Sequence, residues 1–259
     1  MAQNLKTPSP SPTQVIKQDF SLSTVELSYS RPGVKGRTIF GDLVPYGKVW
    51  RTGANGATTL TFGEDVIIGG TKVPAGKYGL LSIPGDNEWT FIITKQLDVT
   101  QPVAYKPDQD VVRVKATPQT LPFSIETLTF LFGDITPNSC NLSLCWDKTV
   151  VMLPIQTDID GKIMAQIDDL MKTDKPPYFS AAVYYLDNGK DLNKALEWFN
   201  KATENNPAFF SVYQKARCLA KLGKKQEAIA AAKQSIELSK KANNTDYVAL
   251  NEKLIASLQ

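Results

Sequence analysis

Three arginines, two large aromatics and an asparagine crowd one stretch of this chain. Residues 29–62 read YSRPGVKGRTIFGDLVPYGKVWRTGANGATTLTF and contain Arg31, Arg37, Tyr46, Trp50, Arg51 and Asn55, with six glycines among them. A guanidinium is a planar fork of donors suited to a carboxylate, a phosphate or a sugar oxygen, and an aromatic face beside it gives a stacking platform. Within residues 46–55 Trp50 would supply an apolar wall, and Arg51 and Asn55 the donors. Arg31 and Arg37 would add positive field that selects anionic or oxygen-rich ligands. Apolar walls with a few placed polar groups are the makeup of a small-ligand site. The competing reading is structural and comes first for Arg51: it pins a long loop through backbone carbonyls or Asp42. The stretch is too aromatic for disorder, and an ordered, folded-over loop is the expectation.

Other chemistries are constrained by what the chain contains. It has no histidine, which removes Ser-His-Asp and Cys-His nucleophile systems, His-ligated zinc and imidazole acid–base catalysis. It has no G-x-S-x-G elbow, Ser-x-x-Lys, Walker sequence or G-x-G-x-x-G. Its cysteines, Cys140, Cys145 and Cys218, form no CxxC pair. Cys140 and Cys145 sit an odd number of residues apart in one apparent strand, so they point to opposite faces, and buried free thiols are the expected state. Gly53-Ala-Asn-Gly56 is formally a G-x-x-G, but a strand follows it. It reads as a tight turn with positive-φ positions rather than a nucleic-acid clamp. Asp158-Ile-Asp-Gly161 misplaces the glycine of a calcium loop and lacks its closing glutamate; it reads as the acidic start of a helix. Asp108 and Asp110 read as a turn. No metal or cofactor is expected, and no catalytic residue is named.

The elements that must hold these residues change character once along the chain. Residues 1–12 form a Pro/Ser leader, expected to be flexible. Strands are expected at 14–19, 24–29, 57–62, 66–68, 71–73, 78–83, 89–95, 111–117, 124–132, 140–146 and 149–155. Gly69-Gly70 and the turn at 84–87 mark two hairpins. Inside the stretch, Ile39, Phe40, Leu43 and Val44 have the spacing of a single helical turn. Alternation such as Leu128, Phe130 and Phe132 against Thr127 and Thr129 means sheets with one buried face. Trp89, Trp146 and Trp198 sit on apolar faces and read as core. Near Thr157 the period changes to that of helices. Ile159, Ile163, Ile167, Leu170 and Met171 share a helical face, Lys175-Pro-Pro breaks it, and further helices follow to residue 258. Gly189 and Gly223 are 34 residues apart, each preceding a small-residue helix, LNKALEWFNKA and QEAIAAAKQS. This period resembles tetratricopeptide repeats, although the register slips by one and the second unit lacks a closing proline.

The expected fold is therefore α+β multidomain: a flexible leader at 1–12, an antiparallel β-sandwich or jelly-roll-like domain at 13–156, and a helical tetratricopeptide-like hairpin array at 157–259. The strings SRPGVKGRTIFGDLVPYGKVWRTGANGATTLTF, PAGKYGLLSIPG and EWTFIITK resemble a family of secreted bacterial proteins designated domain of unknown function 2911. The resemblance covers residues 13–156, and GKVWRTGAN is its most specific part. It implies a β-rich extracytoplasmic domain, often followed by helical repeats, and brings no activity with it. The opening Met-Ala-Gln fits a mature chain after cleavage of a signal peptide ahead of Ala2, so a periplasmic or secreted location is expected.

Basic and acidic residues number 29 and 26, a balance that gives no footprint for nucleic acid. No run of residues is long and apolar enough for a transmembrane helix. Two functions follow from different classes. The first is a non-enzymatic extracytoplasmic binding or scaffold protein, with a small polar or anionic ligand at Arg31, Arg37, Tyr46, Trp50, Arg51 and Asn55 and a protein partner on the helices. The alternative is a carboxylate-dependent hydrolase or carbohydrate-active enzyme. The missing histidine and the repeat-like tail favour the first.

Overall fold

A computed structural model describes residues 7–259. Residues 1–6 of the leader lie outside the described residues; the rest of it is tied at its end, where the Arg31 amide donates to the Pro12 carbonyl (2.9 Å). Contacts divide the chain into two units, Met1–Ile159 and Asp160–Gln259.

The first unit holds ten strands among the described residues: β1 (Thr13–Phe20), β2 (Ser23–Ser30), β3 (Thr58–Phe62), β4 (Val66–Ile68), β5 (Thr71–Val73), β6 (Gly76–Ile83), β7 (Trp89–Thr94), β8 (Asp110–Ala116), β9 (Gln119–Gly133) and β10 (Ser139–Gln156). They make two antiparallel sheets, ordered β1-β2-β3-β6-β7-β8 and β5-β4-β10-β9. Alternation decides which side chains turn inward. Val25, Leu27 and Tyr29 of β2, Leu60 and Phe62 of β3 and Phe91 and Ile93 of β7 form one buried cluster with Leu128 and Phe130 of β9 and Leu142, Leu144 and Leu153 of β10. One cluster fed by both sheets is the signature of face-to-face packing. Tyr29 ties the layers directly: its ring meets Phe130 edge-on at 4.9 Å, and its hydroxyl accepts the Phe130 amide at 3.0 Å. Burial raises that hydroxyl's pKa above its ordinary value.

Local chemistry explains most boundaries. Gly69 and Gly70 both take positive φ, 56° and 77°, as a two-residue hairpin of the primed type requires. A side chain at Gly69 would also meet Val114 of β8 at 2.7 Å. The two strands expected at 140–146 and 149–155 are a single irregular β10. Asp147 takes φ 50° between them and accepts the Ser124 hydroxyl at 2.7 Å, and the register with β9 shifts on both sides of it. The helical turn expected around Ile39–Val44 does not form. The chain instead closes a wider loop, with the Val44 amide donating to the Ile39 carbonyl (2.9 Å) and the Gly41 amide to the Val44 carbonyl (3.0 Å). Four apolar residues at helical spacing could not propagate a helix into Pro45, which lacks the donor the next turn needs.

The second unit holds six helices: α1 (Asp160–Leu170), α2 (Tyr178–Asp187), α3 (Leu192–Thr203), α4 (Phe209–Lys221), α5 (Lys225–Lys241) and α6 (Thr245–Ser257). Gly189 and Gly223 follow α2 and α4 with φ of 65° and 74°, the left-handed stop that favours glycine. Ala182 of α2 and Ala216 of α4, 34 positions apart, are both fully buried, as are Ala195 of α3 and Ala228 of α5. Small residues at matching places let each hairpin close tightly. Ile163, Ile167 and Met171 join α1 to the cluster around Trp198 and Phe199, but Leu170, expected on that face, is exposed. Asp160 starts α1 and accepts Tyr184 at 2.6 Å and Lys190 at 2.7 Å; the Lys190 bond is the larger cause holding its carboxyl below the usual range. Of the two acids, Asp160 thus begins the helix, while Asp158 precedes it.

The three cysteines are free and buried. Cys140 joins the core between the sheets while Cys145 lies outside that cluster, as the odd separation requires. Burial pushes the Cys140 thiol up to about 11.

We predict that limited trypsin treatment cuts first at Lys172, in the exposed segment between α1 and α2, and leaves a fragment containing the whole β unit. A first stable fragment ending between residues 60 and 140 would contradict the division into units. Fragment masses check it.

Candidate functional site

The Gly-rich stretch between β2 and β3 is ordered because its aromatics are driven into the end of the core. Phe40 and Trp50 come from the loop, Trp89 from β7 and Trp146 from β10. The Trp50 ring stacks on Trp146 at 5.8 Å with 16° between planes, and Phe40 meets Trp89 edge-on at 4.8 Å. The Trp50 indole N–H donates to the Gly53 carbonyl at 3.0 Å. Its backbone pairs with Ser82 in both directions, 2.7 and 3.0 Å, which continues the sheet beside β6 past the start of β3. Thr52 is buried and donates to Ser82 Oγ at 3.0 Å. The positive-φ residues of the turn are Thr52 and Asn55, 57° and 59°, rather than its glycines. Gly53 fits a tight place: a Cβ there would sit 3.1 Å from the Ser30 carbonyl.

Trp50 and Arg51 line one wall of a pocket of about 240 Å³. Leu43, Pro45 and Val49 supply further apolar wall, Lys48 a second cation, and Thr100–Pro102 the opposite rim. That rim belongs to a segment folded over the outer face of β6 and β7, where Val99 and Tyr105 cover Leu81 and Ile92. Tyr105 donates to Asp110, which also holds Arg113 at 2.8 Å. Burial first, and Asp110 second, push the Tyr105 hydroxyl up to about 12. Asp108 and Asp110 therefore belong to this strap. Arg51 Nη1 donates to the Thr100 carbonyl at 2.8 Å. Its Nε is closed off from solvent and has no hydrogen-bond partner among the described residues. No carboxylate lines the pocket among the described residues.

The other four residues singled out in the sequence lie elsewhere. Arg31 Nε donates to the Leu128 carbonyl at 3.0 Å and Nη2 to Thr129 at 2.8 Å. Arg37 donates to the carbonyls of Val34 (3.1 Å) and Gly33 (2.6 Å). Asn55 Nδ2 donates to the Ser11 carbonyl at 3.2 Å and to Ser30 Oγ at 3.3 Å. These three hold backbone in place. Tyr46 lines a separate pocket with Phe40 and Trp89. Lys48 and the Thr100 strap complete the Arg51 pocket without having been singled out. Nothing in the spacing of Thr100 links it to Arg51, since only the fold of the strap brings them together.

On the helical unit, a strip of aromatics runs over the first turns of α2, α4 and α6. Phe179 meets Phe210 at 5.3 Å, Phe209 meets Tyr247 at 4.9 Å, and Tyr213 meets Tyr247 at 5.5 Å.

We predict that Arg51→Ala costs only about 1 kcal/mol, because the carbonyl it releases is exposed and rehydrates. Trp50→Ala costs about 3 kcal/mol or more, because it opens the aromatic cluster at the end of the core. Urea unfolding of the two variants checks the order; a larger loss for Arg51→Ala would make that residue the principal clamp.

Comparison with known proteins fits these observations. Residues 169–235 match the family model described as anaphase-promoting complex, cyclosome, subunit 3, a tetratricopeptide-like match across α2 to α4 and into α5. No curated protein and no solved structure matches the chain. Residues 11–155, more than half of the chain and nearly all of the β unit, match the model of a protein family of unknown function, so the chain belongs to the DUF2911 family.

Proposed function

We propose that this is a non-enzymatic extracytoplasmic binding protein. Its β unit takes a small anion with an apolar body, such as a carboxylate, in the Trp50–Arg51 pocket, and its helical repeats contact a protein. The observation that carries the ligand reading is the lining of the pocket: the cations Arg51 and Lys48 stand among the apolar side chains of Leu43, Pro45, Val49 and Trp50, with no carboxylate among the described lining residues. An anionic oxygen docking there would be met by positive charge, and its apolar body by the walls. The protein-contact reading rests on the tetratricopeptide-like match and on the half-buried and exposed aromatics of α2, α4 and α6. The location rests on the resemblance to secreted bacterial proteins. The hydrolase alternative needs two carboxylates about 5–9 Å apart, and nothing around Arg51 favours it.

The test is thermal melting with short-chain and aromatic carboxylates, sugar phosphates and inorganic phosphate. We expect one or more of the anions to raise the wild-type melting temperature and none to raise that of Arg51→Ala, whose small expected loss of stability leaves it folded. An equal rise in the variant, or no rise with any anion, removes the site. Fractionation of the native host checks the location; recovery in the cytosol alone would overturn that part.

A further inference from the structure

The second pocket beside the same loop differs in chemistry from the first. It has a volume of about 190 Å³ and is lined by Tyr46, Asp86, Gln119, Thr120 and Thr149, with Phe40 and Trp89 behind them. Both sheets and two turns supply it. Asp86 stands in the exposed turn between β6 and β7. Gln119 and Thr120 open β9, Thr149 pairs with Thr120 from β10, and Tyr46 comes from the loop. The loop is shaped to present Tyr46. Its ring lies over Gly41, where a Cβ would meet Cε2 at 2.9 Å, and Gly41 takes φ 92°. Tyr46 as a whole remains 43% exposed.

Among the described residues, none of these five polar side chains is committed to a hydrogen bond or ion pair within the protein. Arg31 and Arg37 behave differently, their donors spent on backbone carbonyls and the Thr129 hydroxyl. Five uncommitted groups around one hollow exchange hydrogen bonds only with water in the free protein. A ligand carrying several hydroxyls can replace that water bond for bond. The carboxylate accepts, the amide both accepts and donates, and the hydroxyls do either. No lysine or arginine lines the hollow, so nothing there selects an anion. Its volume is below the roughly 300–1,000 Å³ of drug-sized sites, which limits the occupant to about one ring. An exposed tyrosine face suits the C–H side of such a ring.

We infer that this pocket binds one ring of a neutral carbohydrate, with Tyr46 as the platform and Asp86 and Gln119 as the principal hydroxyl partners. The site is separate from the Arg51 pocket and does not depend on it.

Native gel electrophoresis of the whole chain through dextran, laminarin, xylan or galactomannan, with saturation-transfer NMR on free hexoses, tests the inference. We expect retardation by at least one polysaccharide. Tyr46→Ala and Asp86→Asn should each weaken it by about tenfold or more, a change of about 1.4 kcal/mol, while Arg51→Ala is retarded like the wild type. Asp86 is exposed on a turn, so Asp86→Asn decides the matter if Tyr46→Ala does not fold. No retardation and no NMR transfer with any of these sugars would overturn the inference. So would unchanged retardation of a folded Tyr46→Ala or of Asp86→Asn, or its loss in Arg51→Ala.

Discussion

The loop between β2 and β3 owes its order to four aromatic rings. Trp89 and Trp146 belong to different sheets, and Phe40 and Trp50 are inserted beside them from the loop. Burying such rings is worth several kcal/mol in total, enough to offset part of the entropy of fixing a Gly-rich segment. The cluster carries a cost: Trp146 Nε1 is buried without a hydrogen-bond partner among the described residues. Everything else in the loop follows from where Phe40 and Trp50 are held. The backbone at Trp50 continues the sheet beside Ser82, Arg51 is delivered to the strap at Thr100, and Tyr46 is left standing over Gly41.

The three arginines divide the labour of closing the β unit. The segment after β2 crosses to β9, where Gly33 bridges Thr127 and the Val34 amide reaches the Glu126 carbonyl at 2.7 Å. That crossing covers an edge of the four-stranded sheet, which would otherwise offer a row of unpaired groups. Arg31 and Arg37 fasten it by donating to carbonyls on either side. With both so occupied, the field they were expected to lend a ligand is largely spent on the protein's own backbone. Arg51 differs because, among the described residues, only its Nη1 finds a carbonyl, and its Nε is buried without a partner.

In the helical unit, small residues set how closely the helices approach around a core that also holds Leu186, Trp198 and Phe199. Alanines at matched positions bring helices close, and the space between α4, α5 and α6 carries a buried polar chain. Ser235 donates to the Phe209 carbonyl at 2.7 Å, Ser239 to the Ser235 carbonyl at 2.7 Å, and Asn251 to Ser235 Oγ at 2.9 Å. Such groups fix register, because a slipped helix would leave them unpaired. The tetratricopeptide-like character therefore lies in the spacing of small residues, which is why a 34-residue period was visible in one sequence.

Periodicity carried the strands, the helices, the change of class near Thr157 and the Gly69-Gly70 hairpin, because each depends on neighbours in the chain. The aromatic and basic composition of residues 29–62 correctly marked an ordered loop. What composition could not say was which side chain each ring and guanidinium would meet. Arg31 reaches Leu128 across 97 positions and Arg51 reaches Thr100 across 49; no local pattern encodes such pairings. The six candidates were grouped by nearness in sequence, and the tertiary structure separated them: two at one pocket, one at another, three on backbone. Asp86, Gln119 and Thr149 passed unnoticed for the same reason, since each is an ordinary turn or strand residue until two sheets bring them to one hollow. Local order was written in the chain; the chemistry of the pockets arose only where distant segments met.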